Sequence, residues 1–140
     1  YLYIFCFILF VCVCVCVCVY EISHIAEPIF FYIRHFDSSK KFIIINAQDS
    51  IKDSMVGTLC GMVCNSNVYP RNNVIVGMAY THEGDIKISL RTNNQNIDLR
   101  EIIKKIADGG GHSNACGAFI KREQEDKFIE NMKDELSKVL

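Results

Sequence analysis

The stretch VIVGMAYTHEGDIKISLR, residues 74–91, decides the fold. Val74 to Tyr80 is an apolar run, and Ile86 to Arg91 alternates, with Ile86, Ile88 and Leu90 on one side and Lys87, Ser89 and Arg91 on the other. Alternation of period two is the mark of a strand with one face in a core. Between the runs, Glu83, Gly84 and Asp85 supply turn chemistry, so the two are expected to pair as a hairpin.

Working outward toward the C-terminus, Asp98 with Glu101 three residues on makes an acidic N-cap and a capping-box partner, and Ile97 can staple onto Ile102. The helix so started carries Leu99, Ile102, Ile103 and Ile106 and is expected to stop at Gly109, in the left-handed conformation that ends helices. Gly117 to Lys121 reads as another strand, and a last amphipathic helix carries Phe128, Ile129, Met132, Leu136 and Leu140. Upstream, Lys41 to Asn46 (KFIIIN) is a short β-branched run expected to be a buried strand. Ser50 and Asp53 make a capping-box-like start to a helix with Ile51, Met55, Val56, Leu59, Met62 and Val63 on one face, and NSN and YPR form a loop ending near Asn73. The order strand, helix, hairpin, helix, glycine segment, strand, helix predicts an α/β domain, with a mixed central sheet of about four or five strands and flanking helices.

The chain has 140 residues, 50% hydrophobic and 22% charged, which suits one ordinary domain. Its net charge of -1 excludes a generally basic nucleic-acid coat or an acidic tail, so any anion site must be a local arrangement. Five of the eight cysteines, Cys6, Cys12, Cys14, Cys16 and Cys18, lie in residues 1–20, four of them in the alternation VCVCVCVCV. A repeat of T and G read through gives this pattern, so residues 1–20 are read first as a gene-model artefact. Tyr1 in place of Met suggests a start further upstream and a chain that is a fragment. The rival is a membrane helix, since an uncharged run of about 20 apolar residues can span a bilayer. The expected location is cytoplasmic, or membrane-bound if that segment is real. Residues 21–40, with Pro28 and the cluster Phe30, Phe31 and Tyr32, form a lead-in, and residues 41–140 form the domain.

The chemistry concentrates at Gly109, Gly110, Gly111 and His112, followed by Ser113, Asn114, Ala115, Cys116 and Gly117. Three consecutive glycines cost chain entropy and serve where backbone must adopt unusual dihedrals or come very close to something. Their N–H groups can make a concave nest for phosphate, and His112 can add a donor. The competing structural reading is a helix stop and tight turn with His112 solvated. Local charge favours the anion site. Ile86 to Lys121 holds six basic and three acidic residues, whereas Arg122 to Leu140 holds four basic and six acidic. Arg91, at the polar-facing end of its strand, is the best candidate for a bidentate phosphate or carboxylate contact.

SLRT at Ser89 to Thr92, then IIKKIA, then DGGGHSNACG, together resemble the C-terminal DHH-associated domain of the DHH phosphoesterase superfamily, which includes RecJ-type exonucleases, oligoribonucleases and nucleotide phosphatases. The resemblance covers roughly Lys41 to Lys121. It implies that Arg91, Gly109, Gly110, Gly111, His112 and Asn114 contact substrate, a nucleic acid or nucleotide phosphate. It also implies an N-terminal catalytic domain holding paired manganese ions. Cys116 departs mildly from the small alanine usual in the family. No D-H-H triplet occurs in the chain, so no catalytic residue and no metal or other cofactor site is expected within it.

His24, His35 and His82 are read as structural or solvated, and Cys60 and Cys64, one helical turn apart with no second ligand pair, as packing thiols rather than zinc ligands. Two other functions compete with the phosphoesterase half: a non-catalytic tRNA-binding module, and a membrane-anchored nucleotide-binding domain if residues 1–20 are genuine.

Overall fold

A computed structural model describes residues 42–66 and 73–140, all within a compact unit spanning residues 32–140. The expectations for residues 1–20, for the lead-in at 21–40 and for the YPR loop lie outside the described residues. Among the described residues no helix is long and apolar enough to cross a membrane.

The strands are β1 (Phe42–Gln48), β2 (Val74–Tyr80), β3 (Asp85–Thr92), β4 (Gly109–His112) and β5 (Ala115–Lys121). The helices are α1 (Val56–Asn65), α2 (Leu99–Ile106) and α3 (Glu125–Val139), with short 3₁₀ turns ahead of α1 and α3. The sheet order is β1-β2-β3-β5-β4, parallel between β1 and β2 and antiparallel elsewhere. The mixed α/β sheet is therefore as expected, and its fifth strand is the glycine segment itself. The β2–β3 hairpin closes through Thr81, whose N–H donates to Asp85 O at 2.9 Å and whose Oγ1 accepts from Asp85 N at 3.1 Å. Gly84, at φ 89, supplies the left-handed turn residue.

One face of the sheet carries the main core. Val76, Met78, Ile88 and Leu90 pack there with Leu99 and Ile103 of α2 and Phe128, Met132 and Leu136 of α3. Fully burying a side chain of this size contributes about 1.5–3 kcal/mol, so this layer supplies most of the domain's cohesion. An exposed Lys105–Glu135 ion pair of 3.0 Å adds little to the contact between α2 and α3.

The opposite face is covered over β2 and β3 by α1, and the fit is close. A Cβ built on Gly77 would lie 2.2 Å from Cys60 Sγ and 2.9 Å from Val56 Cγ2, so only glycine lets the helix settle there. The buried residues of α1 are Val56, Leu59, Cys60 and Cys64, which agrees with the packing role expected for the two thiols. It corrects the expected apolar face, because Met62 is exposed. The capping box expected at Ser50 and Asp53 does not form. Asp53 begins a 3₁₀ turn, and neither that turn nor α1 has a side-chain N-cap.

At α2, Asp98 caps as expected, accepting from Arg100 N at 3.0 Å, but Glu101 gives only its backbone N–H, to Asp98 O at 3.2 Å. Arg100 also clasps the Asp98 carboxylate and holds its pKa down at about 2. The expected stop at Gly109 is corrected. The helix ends at Ile106, and Ala107 turns straight into extended backbone at φ -149 and ψ 160, because the chain must enter β4 at once.

Candidate functional site

The sheet register assembles the site. Arg91 pairs with Ala115, and Ala115 pairs with His112, so these three stand in one lateral row. Directly opposed residues of antiparallel strands project on the same face. With strands about 4.8 Å apart, Arg91 and His112 are separated by roughly 10 Å across the row. The next row is Ser89, Gly117 and Gly110, and the next pairs Lys87 with Phe119. All lie on the α1 face, and over β5 and β4 that face is open, with Gly110, His112 and Phe119 exposed. A Cβ on Gly110 would meet nothing within 4 Å.

Arg91 is half-buried and held by one nitrogen. Its Nη1 donates to Ser89 Oγ at 3.0 Å and Leu90 O at 2.7 Å, with Cys116 O at 3.5 Å. Ser89 is only 4% exposed, so its hydroxyl is a fixed anchor. Nη2 lies toward α1, where a Cβ on Gly57 would come within 3.3 Å of it. Among the described residues no carboxylate pairs with Arg91. A pre-positioned guanidinium that meets no carboxylate among the described residues suits bidentate capture of phosphate or carboxylate.

The three glycines divide between the faces. By register Gly109 and Gly111, opposite Ala118 and Cys116, fall on the core-side face, though Gly111 is itself exposed: a Cβ on Gly109 would lie 2.9 Å from Ile103 Cγ1 and 2.7 Å from Gly117 O. Gly111, at φ 141, would bring a Cβ 2.3 Å from Ala115 O. Gly110 alone shares the face of Arg91 and His112. The concave nest of consecutive N–H groups expected here is replaced by an extended edge strand, whose residues point alternately to the two faces. Sequence inspection missed this because glycine carries no side chain in which alternation could be seen.

A two-residue turn, Ser113 and Asn114, joins β4 to β5 and is tied down by its carbonyls. Asn114 O accepts from Thr92 N at 3.1 Å, and Ser113 O accepts from Leu99 N at 2.8 Å. Cys116, in the place of the expected alanine, is buried, and its thiol donates to His112 O at 3.0 Å. Asn114 is exposed and lines, with Ser113 and the amide-rich residues Asn93, Asn94 and Gln95, a cleft of about 330 Å³ beside the row. Asn93 is already committed, donating to Cys64 O at 2.9 Å.

Other chemistry is excluded locally. Burial pushes the Cys60 thiol up to about 12 even though Arg91 pulls it down, so it is no nucleophile at neutral pH. Among the described residues no three His, Cys, Asp or Glu side chains gather as metal ligands, so these residues do not fit a metal site. His82 is exposed at the β2–β3 turn, while His24 and His35 lie outside the described residues.

The DHHA1 domain family matches residues 39–138. Among curated proteins none matches the chain. Solved structures that share the fold include the following three. The pGpG-specific phosphodiesterase PggH from Vibrio cholerae aligns at a TM-score of 0.60 and 11% identity, over 84% of this chain and 39% of that one. RecJ in complex with Mn2+ from Thermus thermophilus aligns at 0.60 and 14%, over 81% and 16%. An exopolyphosphatase-related protein from Bacteroides fragilis aligns at 0.59 and 17%, over 80% and 34%. The chain thus spans well under half the length of each.

Proposed function

Because the chain belongs to the DHHA1 domain family, we propose that it is the substrate-binding part of a metal-dependent DHH-family phosphoesterase, and that it grips the phosphate of a nucleotide or nucleic acid. The observation that carries this reading is the row formed by Arg91, Ala115 and His112, in which half-buried Arg91, at the edge of α1, and exposed His112 share one face of the sheet with only a methyl group between them. In this reading Arg91 gives paired N–H donors to the phosphate oxygens, and an imidazole nitrogen of His112 donates from the other side. Gly110, between His112 and the open shelf, lets the ligand lie against the backbone, and Asn114 touches it from the hairpin tip. Hydrolysis, of a phosphodiester or a phosphomonoester, belongs to the intact protein. Manganese ions held by an upstream catalytic domain would supply the activated water. The exonuclease and phosphodiesterase named among the structural relatives support a nucleotide or nucleic-acid substrate class.

The test is calorimetry with adenosine monophosphate. Arg91→Ala and His112→Ala each remove a charge-assisted or strong hydrogen bond, worth about ten- to a hundredfold in affinity. Both variants should remain folded: His112 is exposed and should leave the melting temperature unchanged, while Arg91→Ala should lower it modestly by removing the donor to buried Ser89. Unchanged affinity in both would overturn the assignment.

A further inference from the structure

Past the end of the Arg91 row, the loop that follows β3 and the tip of the β4–β5 hairpin enclose the cleft of about 330 Å³. Thr92 follows Arg91 and Asn114 precedes Ala115, so the cleft begins one residue beyond the row, about 3.3 Å along the strands. Its volume lies at the small end of the range for small-molecule sites, about 300–1,000 Å³, which suits one heterocycle rather than a polymer. None of the seven residues around it carries a charge, and buried Ile97 is the only apolar one. Part of the wall is fixed by its own hydrogen bonds. Asn93 Nδ2 donates to Cys64 O at 2.9 Å, Asn94 Oδ1 accepts from Asn96 N at 3.0 Å, and Thr92 Oγ1 accepts from Asn94 N at 3.1 Å. A wall that is set before a ligand arrives lowers the cost of ordering it. By contrast, the side-chain amides of exposed Gln95 and Asn114 have no hydrogen-bond partner among the described residues.

We infer that this cleft is a base pocket that selects adenine over guanine, with Gln95 and Asn114 reading the edge of the ring and Ile97 lying against its face. The inference rests on the phosphate-binding reading above and names which nucleotide that site takes. A side-chain amide offers one donor and one acceptor side by side, the complement of the N6 amine and N7 of adenine. On guanine, O6 and N7 are both acceptors and call for arginine or lysine, while N1–H and the N2 amine are both donors and call for a carboxylate. The lining supplies neither charge. The placement agrees with the chemistry: a phosphate held at Arg91 stands one residue short of the cleft, so the base that enters it belongs to the same nucleotide. A sugar phosphate without a base would leave the cleft unused.

The experiment titrates the full chain by calorimetry with adenosine monophosphate, guanosine monophosphate and ribose 5-phosphate. The parent should bind adenosine monophosphate about tenfold more tightly than either of the others, the discrimination that one well-made amide–base pair supports. Gln95→Ala should remove most of that advantage, leave ribose 5-phosphate unchanged and melt like the parent, because the side chain is exposed and unbonded. Gln95→Glu, which exchanges the donor for a second acceptor, should shift the preference toward guanosine monophosphate. Arg91→Ala should weaken all three ligands. The base pocket is overturned if the parent binds adenosine monophosphate no better than ribose 5-phosphate or guanosine monophosphate. It is overturned equally if Gln95→Ala leaves adenosine monophosphate unaffected or weakens it and ribose 5-phosphate alike, or if Gln95→Glu leaves the preference as it was. If Arg91→Ala changes none of the three while Gln95→Ala still removes the preference for adenine, the phosphate assignment fails and the base pocket stands. If the parent chain binds none of the three, both fall.

Discussion

Ser89 Oγ accepts a 3.0 Å hydrogen bond from Arg91 Nη1, two residues along the same strand and on the same face. The guanidinium would otherwise sweep a wide arc on its three-carbon stem. With Leu90 O as a second acceptor on the same nitrogen, it is aimed before any ligand arrives. Part of the cost of immobilising a long side chain is thereby met in folding rather than in binding.

Ser89→Ala should therefore weaken nucleotide binding without touching the contact surface. Losing one net hydrogen bond of about 1 kcal/mol corresponds to about fivefold in affinity. The melting temperature should move little, because alanine fills the site of a small buried side chain. Calorimetry with adenosine monophosphate, set beside thermal melting, checks this. An affinity equal to that of the parent chain would show that Arg91 needs no anchor.

The glycines of β4 should separate stability from binding. Gly109→Ala and Gly111→Ala each drive a Cβ into backbone or packed side chain, and Gly111 is further strained by its φ of 141. Overpacking of this kind costs about 1–3 kcal/mol, which thermal melting would read as a drop of several degrees. Gly110→Ala meets nothing within 4 Å and should melt like the parent. Because Gly110 lies on the open face, the methyl should instead register in ligand affinity. Equal melting temperatures for all three variants would contradict the division of the glycines between the two faces.

The Cys60 thiol should give the alkaline limb of the stability profile. Burial raises its pKa from about 9 to about 12, with the Arg91 charge working against the shift. The stability that comes from keeping the thiol protonated is fully present below the unfolded value. It is lost as the pH rises from about 9 through about 12. Denaturant unfolding at pH 8, 9.5 and 11 should show a steeper decline for the parent than for Cys60→Ala. Iodoacetamide should label Cys60 at pH 8 only as fast as the domain unfolds. Rapid labelling of the native protein would refute the burial argument.

Much of the fold was legible where side chains alternate or recur. Residues 74–91 announced both strands and the turn of the hairpin, and Phe128, Met132 and Leu136 announced α3 as it stands. The failures share a cause, which is that tertiary proximity leaves no local pattern. Val56 and Cys60 are buried because Gly77 admits them, and Gly77 is remote in sequence from both, so Met62 looked as good a core residue as any. The GGGH strand had no side chains to alternate. Arg91 and His112 were legible as candidates from charge and spacing, but their common row depends on the strand order. Phe119 could have been found: the period of two that puts Ala118 and Ile120 inside puts it outside.

One end of the sheet is β4, and it is only four residues long. A sheet edge offers itself to every other copy of the molecule, since a row of unpaired backbone groups is a template for further strands. Here the template is too short, and too poor in strand-forming residues, to hold a recruit: three of its four members are glycine, which loses more freedom on becoming extended than any other residue. The glycines that admit β4 beside β5 thus also guard the molecule against polymerisation. Replacing them with valine or isoleucine would make a poor strand template into a good one.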